Sequence, residues 1–349
     1  MTFADSKEHF KVLRLGQINF AHDAWNDLLS NPQIELVESP CQTKAEFIAE
    51  LKSGLYSDVN YITRTYQSAK FTGLFDREIL TLIKNHTKVL AISHTGAGYD
   101  QVDALACKDL AIQLSNVPGK VDDATADTNV FLILTCMRNF QSGRENLLKG
   151  LWGDDEAAKS AGTPYGHNMR DATIGIVGMG GIGKTVRDRL VSFGSKIVYY
   201  NRKRLSEEEE KGAKYCETIE ELCQISDVIS LNLPLNANTK HIINEKLIGM
   251  MKDGVIIVNT ARGPVIDEHA LKPALKSGKV AWLGTDVFEN EPFIDMELAR
   301  MDNVVALPHM GTHTVECLKS MEELVVENVQ TYFDTGKVKT LVAELKELF

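Results

Sequence analysis

Three short polar strings each follow an apolar, β-branched run in the second half of the sequence. They carry Arg262, the acids of the 286–291 string, and His309. Arginine is a planar donor that can bind a carboxylate or polarise a ketone. Histidine, with an unperturbed pKa of about 6.5, can donate a proton near neutral pH, and a neighbouring carboxylate would fix its orientation. Each residue alone could be an ion pair or a buried hydrogen-bonded group, but their joint occurrence at consecutive strand ends favours reduction of a keto acid.

A glycine-rich string separates a predicted strand at 173–177 from a helix predicted over 184–193. In this strand-turn-helix context the first glycine allows a tight turn, the second lets the backbone approach a pyrophosphate, and the third lets the helix pack against the strand. Free amides at the helix start would bind the anion. The sequence therefore predicts a dinucleotide-binding loop that contains Gly178, Gly180, Gly181, Ile182 and Gly183.

The residues after the second predicted strand of this domain, at 196–200, indicate which dinucleotide binds. A carboxylate usually stands here and accepts from the adenosine ribose, but this chain has Asn201 followed by Arg202, Lys203 and Arg204. Loss of the carboxylate removes its repulsion of a 2′-phosphate, and the three cations supply donors for that group. The turn predicts NADP(H), with a solvated basic turn that balances the acids at 207–210 as the alternative.

Short apolar runs alternate with helical patterns along the chain, which predicts an α/β protein with two doubly wound parallel sheets. Five strands are predicted at 11–15, 34–37, 58–63, 88–93 and 111–114, and six more at 173–177, 196–200, 227–233, 255–259, 281–286 and 304–307. Six strands make a complete dinucleotide-binding sheet. We therefore predict a six-stranded Rossmann cofactor domain inserted in a smaller, flavodoxin-like substrate domain.

The boundary between these domains is predicted at the Pro118-Gly119 turn, which precedes a long helical stretch at 122–139. The last helical stretch, at 315–333, is not followed by another predicted strand, so it is expected to pack on the first domain. The prediction is a substrate domain of residues 1–119 and 312–349, and an NADP-binding domain of residues 120–311.

Composition narrows the class of protein further. The chain has 349 residues and a formal net charge of -10, which disfavours nucleic acid and anionic membranes as partners and favours a small molecule. The sequence has no apolar run of the roughly 18 residues that a membrane helix needs, and neither a signal nor a transit peptide is evident, so a cytoplasmic protein is expected. The six cysteines are scattered, which predicts free, mostly buried thiols and no metal site.

Seven ordered motifs resemble the D-isomer-specific 2-hydroxyacid dehydrogenase family, and within it the fungal glyoxylate reductases. They cover nearly the whole chain, at 94–100, 125–128, 138 with 150–152, 178–183, 259–263, 286–292 and 308–312. The resemblance implies that Arg262 binds the substrate, that His309 is the acid/base, and that Glu291 is its partner. Glu291 is favoured over Glu289 because it immediately precedes a proline in the family string.

The same resemblance implies further contacts. Ala97 and Gly98 are expected to offer backbone amides to the substrate carboxylate across a cleft, in agreement with the open backbone of this glycine-rich loop. The other implied cofactor contacts are Thr128, Leu233, Pro234, Thr260, Ala261, Arg262, Asp286, His309 and Gly311. The sequence departs from many relatives at Gly181, where they carry a larger or cationic residue, and at Leu233, where they carry a small hydroxyl residue.

The activity implied is NADPH-dependent reduction of glyoxylate, and of hydroxypyruvate, by a homodimer, with the 122–139 helix and the 150–168 segment as candidate contact surfaces. Another D-2-hydroxyacid dehydrogenase, such as a hydroxypyruvate or D-lactate dehydrogenase, remains open. Oxidation of 3-phosphoglycerate with NAD is less favoured, because the acid after the second strand is absent. A non-catalytic, corepressor-like scaffold that senses nucleotides is compatible with the same residues.

Overall fold

The computed structural model describes residues 9–349, which divide into two compact units. The first contains the described residues up to Val121 together with His313–Phe349, and the second contains Asp122–Thr312. The strands are β1 (Phe10–Leu15), β2 (Ile34–Glu38), β3 (Val59–Thr65), β4 (Ala91–Thr95), β5 (Gln113–Ser115), β6 (Thr173–Val177), β7 (Lys196–Tyr200), β8 (Lys214–Tyr215), β9 (Val228–Leu231), β10 (Val255–Asn259), β11 (Val280–Thr285) and β12 (Val304–Ala306).

Helices cover both sheets. They are α1 (His22–Leu29), α2 (Lys44–Ser53), α3 (Ala69–Thr72), α4 (Arg77–His86), α5 (Ala104–Asp109), α6 (Asp122–Met137), α7 (Phe140–Leu148), α8 (Gly181–Val191), α9 (Glu207–Glu210), α10 (Ile219–Ile225), α11 (Glu245–Met250), α12 (Glu268–Ser277), α13 (Met296–Ala299) and α14 (Val315–Thr335). Within residues 9–349, no helix is both long and apolar enough to cross a membrane.

The sheet of the first unit has the order β2-β1-β3-β4-β5, and all its strands are parallel. This is the flavodoxin-like order, so the predicted class is confirmed. The last helix, α14, packs on β4 and α1 of the same unit. Its Glu322 carboxylate accepts hydrogen bonds from the backbone amides of Asn19, Phe20 and Ala21 at 2.8–2.9 Å.

The sheet of the second unit has the order β12-β11-β10-β9-β6-β7-β8 and is also parallel. The strands β6 to β11 follow the Rossmann order, in which the direction of strand addition reverses between β6 and β9. The predicted count of six strands was wrong. The missed strand, β8, has two residues and pairs only with β7 at the sheet edge, too short to give a periodic signal.

Two helix boundaries also differ from the prediction in ways that matter for the site. Helix α8 begins at Gly181, three residues earlier than predicted, so the glycine string itself supplies the first amides of the helix. The predicted helix at 122–139 ends at Met137, and α7 starts after Asn139, which has a left-handed backbone. All six cysteines are free and buried, as predicted.

Candidate active site

The predicted catalytic side chains follow three adjacent strands of the second unit. Arg262 comes after β10, Glu291 after β11 and His309 after β12, and these strands are neighbours in the order β12-β11-β10. Because parallel strands end at the same sheet edge, the three segments converge there. The fold thus brings together residues that are 47 positions apart, from 262 to 309, in the sequence.

His309 and Glu291 form a hydrogen-bonded pair. His309 Nδ1 lies 2.6 Å from Glu291 Oε2, and Glu291 Oε1 accepts the backbone amide of Phe288 at 2.9 Å. Burial raises the pKa of Glu291, but the hydrogen bond and charge of His309, the Phe288 amide and the charge of Arg262 outweigh it and leave the pKa below its ordinary value. An ionised carboxylate on Nδ1 fixes the ring and leaves Nε2 to exchange a proton with a ligand.

Asp286 holds the turn that carries His309. Its carboxylate accepts the amides of Met310 at 2.8 Å and Gly311 at 2.7 Å, while its backbone oxygen accepts the amide of His309 at 2.8 Å. Burial raises the pKa of Asp286 more than these hydrogen bonds lower it. His309 itself has a positive φ of 52°, which this turn imposes on a residue that rarely adopts it. Asp286 is therefore a positioning residue here, and contact with the nicotinamide stays a prediction.

The backbone around Arg262 is fixed by a buried asparagine. Asn259 Nδ2 donates to the carbonyl of Arg262 at 2.9 Å, and its Oδ1 accepts the amide of Ala261 at 3.0 Å. The next residue, Gly263, packs so closely on the backbone after β11 that a Cβ would overlap the carbonyl carbon of Phe288. Arg262 Nη1 also donates to the carbonyl of Ala261 at 2.9 Å. These contacts tie the arginine turn to the segment that ends in Glu291.

A buried amide on α6 connects two further strand ends, and the sequence reasoning missed it. Asn129 donates to Thr260 Oγ1 at 2.9 Å and accepts from Ser230 Oγ at 3.0 Å, and Asn232 donates to the same Ser230 oxygen at 3.0 Å. The signal was available: Asn129 and Ser230 are polar residues within otherwise apolar runs, and both are fully buried. They hold the predicted cofactor residue Thr260 in place.

Glu289, which was not predicted to be the partner of His309, makes different contacts. Its Oε1 lies 2.6 Å from His241 Nε2, and its backbone amide donates to Glu268 at 2.9 Å. Asp267 lies nearby and caps the N-terminus of α12. One ring nitrogen of His241 and one carboxylate oxygen each of Asp267 and Glu289 lie within 4.8 Å of one another. The two acids therefore have different partners: Glu291 pairs with His309, whereas Glu289 contacts His241 and Glu268.

The glycine loop has the geometry that a pyrophosphate needs. Gly178 has a φ of 92°, and a Cβ at Gly183 would overlap the carbonyl oxygen of Gly178, so both positions require glycine. Gly180 precedes α8 with no side-chain cap on the helix amides, and a Cβ there would meet no atom within 4 Å. Open space in front of uncapped helix amides fits the phosphates of a dinucleotide.

The basic turn after β7 is only partly open to a ligand. Asn201 binds the glycine loop, since its Oδ1 accepts the amide of Met179 at 2.7 Å. Arg204 forms a two-pronged ion pair with Glu210, at 2.7 and 3.1 Å, which lowers the pKa of Glu210 to about 2. Arg202 and Lys203 are exposed, and no acid within residues 9–349 pairs with them. Arg204 is thus paired with an acid of its own turn, whereas Arg202 and Lys203 are not.

The remaining predicted cofactor residues lie near the loop or on its supporting elements. Leu233 packs against Gly178, and the carbonyl of Pro234 accepts the Thr239 hydroxyl at 2.6 Å. Ile182 packs on the apolar core around β6. The Thr128 hydroxyl donates to the carbonyl of Ala124 within its own helix at 3.2 Å, and its contact with the cofactor stays a prediction.

The two predicted substrate amides belong to the first unit. Ala97 and Gly98 follow β4, and the carbonyl of Ala97 accepts Asn116 Nδ2 at 2.7 Å. Nothing in the described part of the chain accepts a hydrogen bond from either backbone amide. Backbone amides that donate no hydrogen bond within the protein can bind an anion.

Known proteins are similar to this chain over nearly its whole length. The sequence profile of the "D-isomer specific 2-hydroxyacid dehydrogenase, NAD binding domain" matches residues 130–311. Glyoxylate reductase 1 of Saccharomyces cerevisiae is 47% identical over 96% of this chain and 95% of its own length. 4-Methyl-2-oxopentanoate reductase A of Aspergillus oryzae is 44% identical over 97% and 99%.

Among solved structures, that of a glyoxylate reductase from Paecilomyes thermophila matches with a TM-score of 0.90 and 43% identity, covering 96% of this chain and 99% of that one. Identity at this level, over nearly full length and together with the two-sheet fold, establishes relationship rather than fold likeness alone. The chain belongs to the D-isomer specific 2-hydroxyacid dehydrogenase family.

Proposed function

We propose that this dehydrogenase reduces glyoxylate, with hydroxypyruvate as a second substrate, and that it takes NADPH as the reductant. The observation that carries the proposal is the hydrogen bond between His309 and Glu291, at 2.6 Å, on the sheet edge that also holds Arg262. An acid/base pair beside a cation is what reduction of a 2-keto acid requires. The family membership makes the chain an oxidoreductase that acts on small 2-keto acids with a nicotinamide cofactor.

In this proposal each side chain has one task. When bound, the nicotinamide cofactor supplies the hydride that reduces the carbonyl carbon. His309 holds a proton at Nε2 and donates it to the carbonyl oxygen, while the Glu291 carboxylate stabilises the protonated ring from Nδ1. Arg262 binds the substrate carboxylate with its planar donors. The backbone amides of Ala97 and Gly98 remain predicted contacts of that carboxylate.

Preference for NADPH rests on the turn after β7. No carboxylate stands at position 201, and Arg202 and Lys203 are exposed there. Because Asn201 is bound to the glycine loop and Arg204 to Glu210, we assign the 2′-phosphate to Arg202 and Lys203.

We expect Asn201→Asp combined with Arg202→Ala to shift the ratio of kcat/KM for NADPH to that for NADH by about 100-fold toward NADH. The new carboxylate repels the 2′-phosphate, accepts from a ribose hydroxyl, and can still accept the Met179 amide. Steady-state kinetics with both cofactors measure the ratio. Arg170→Ala, which removes an exposed arginine before β6, is the matched control. An unchanged ratio in the double variant would show that the turn is only solvated surface.

The substrate is tested by a grid of steady-state rates with each cofactor. We expect the highest kcat/KM with glyoxylate, then hydroxypyruvate, and low values with pyruvate and 3-phosphohydroxypyruvate. 4-Methyl-2-oxopentanoate belongs in the grid because a 44% identical relative is named for its reduction. Faster turnover of a larger keto acid would move the assignment to another 2-hydroxyacid dehydrogenase activity. Absence of turnover with every keto acid would favour the nucleotide-sensing scaffold.

The proposal includes a homodimer. Exposed apolar side chains cluster in sequence at the end of α7 and just after it, where Leu147, Leu148, Leu151 and Trp152 are 50–70% exposed. An apolar surface of this kind is typical of an interface with another chain. Leu151 and Trp152 fall within the 150–168 segment that the sequence suggested as a contact surface, and Leu147 and Leu148 directly precede it.

A further inference from the structure

Asp122, the first residue of α6, places its carboxylate against the start of α8. A Cβ at Gly181 would overlap Asp122 Oδ2 and would lie 3.0 Å from Oδ1. Gly181 is part of a regular helix, so its backbone conformation does not require glycine. Lack of space requires glycine instead, because the Asp122 carboxylate fills the position that a side chain at residue 181 would need. This accounts for the departure from relatives that have a larger residue there.

This carboxylate has no cation of its own in the described part of the chain. Burial raises the pKa of Asp122, and the negative charge of Asp123 raises it further. Two cations of α8 are paired with other acids: Arg189 binds Asp123 at 3.0 Å, and Lys184 binds Glu209 at 2.5 Å. No residue within 9–349 donates a hydrogen bond to the Asp122 side chain. A half-buried, uncompensated negative group therefore stands beside uncapped helix amides.

We propose that Asp122 opposes binding of the cofactor's pyrophosphate and so keeps the affinity for dinucleotides low. The inference rests on the proposed function, which assigns the pyrophosphate to the first amides of α8. Gly181 is the first residue of that helix, and the Asp122 carboxylate fills the space where its Cβ would lie. Two negative groups at one helix start repel each other, whereas a protonated Asp122 would not repel the phosphates. Weak binding favours rapid cofactor release, a step that limits turnover in many enzymes.

The test compares the affinities of wild-type protein, Asp122→Asn and Asp122→Ser for NADP⁺ by titration calorimetry. Both replacements remove the charge and keep a short polar side chain at this position. At about pH 8 we expect either variant to bind NADP⁺ roughly 5- to 20-fold more tightly than wild type, from the loss of one nearby like charge. Asp123→Asn, which removes the same charge from the next, exposed residue, should change affinity less than about twofold because that site is solvent-screened.

Dependence on pH gives a second readout. Because the pKa of Asp122 is raised, wild-type affinity should fall as pH rises through that pKa, and the slope should be smaller in Asp122→Asn. A residue that only supports the fold would lose affinity on substitution rather than gain it. Melting temperatures of the cofactor-free proteins confirm that each variant is folded.

Choice of ligand separates this inference from the cofactor assignment. Adenosine 2′-monophosphate lacks the pyrophosphate, so its binding should not respond to Asp122→Asn. NAD⁺ has the same pyrophosphate as NADP⁺, so the gain should appear with NAD⁺ even if the chain prefers that cofactor. Folded Asp122→Asn and Asp122→Ser proteins that bind both dinucleotides no more tightly than wild type would overturn the inference. Wild-type protein that binds neither dinucleotide would overturn this inference and the proposed function together.

Discussion

Replacing His309 by glutamine should lower kcat for glyoxylate about 1,000-fold, within the range that loss of a general acid usually costs. Glutamine can keep a hydrogen bond to Glu291 but cannot supply a proton to the carbonyl oxygen. Most predicted cofactor contacts, above all those of the glycine loop between β6 and α8, do not involve the His309 side chain, so NADPH affinity should stay within about threefold of wild type. Stopped-flow single turnovers and fluorescence titration with NADPH measure the two quantities.

Two controls accompany this variant. His309 has a positive φ, and asparagine tolerates that backbone better than most residues, so His309→Asn serves where glutamine disturbs the turn. His269→Gln removes an exposed histidine on α12 and should retain wild-type rates. Near wild-type kcat in a folded His309 variant would mean that the proton comes from another group.

Replacing Arg262 by glutamine is expected to lower kcat/KM for glyoxylate several hundredfold, because removing one partner of a hydrogen-bonded charge pair costs roughly 3–4 kcal/mol. Arg262→Lys keeps the charge but not the planar pair of donors, so it should recover only about tenfold. Loss of the charge has a second effect. Arg262 lowers the pKa of Glu291, so the pKa should rise in Arg262→Gln, and the acid limb of the kcat profile should move to higher pH.

Arg300→Gln is the matched control for this variant, since it removes an exposed arginine at the end of α13. Its rates and pH profile should equal those of wild type. If Arg262→Gln keeps its KM for glyoxylate and its acid limb, then the arginine neither binds the substrate nor acts on Glu291, and the proposed site is wrong.

Much of the site could be read from local sequence because the governing rules are local. An apolar run followed by a polar string marks the end of a buried strand, and strand ends of a parallel sheet converge at one edge. That reasoning located Arg262, the acids of the 286–291 string and His309 without their distances, and the family resemblance then selected Glu291 from the string. The glycine string could be predicted equally well. Gly178 forms a turn with a positive φ, and Gly183 approaches the Gly178 carbonyl too closely for any side chain.

Other features depend on contacts between distant segments, which no local pattern reports. No local pattern reported that Arg204 pairs with Glu210, and the contact of Arg204 with the cofactor stays a prediction. Strand β8 was missed because two residues at a sheet edge carry no periodicity. Local sequence also did not report that the buried carboxylate of Asp286 accepts two amides of the turn after β12; its contact with the nicotinamide stays a prediction.

The sequence by itself determined the class of fold, the dinucleotide loop and the three strand-end strings with Arg262, the acids and His309, because periodicity, glycine spacing and residue type are properties of short segments. The tertiary structure decided which acid faces His309, which cations of the basic turn are left for a ligand, and why residue 181 is glycine. Residue 181 is glycine because α6 and α8 pack together and place the Asp122 carboxylate against it. Burial and partnership set the charge of such groups, and both exist only once the chain has folded.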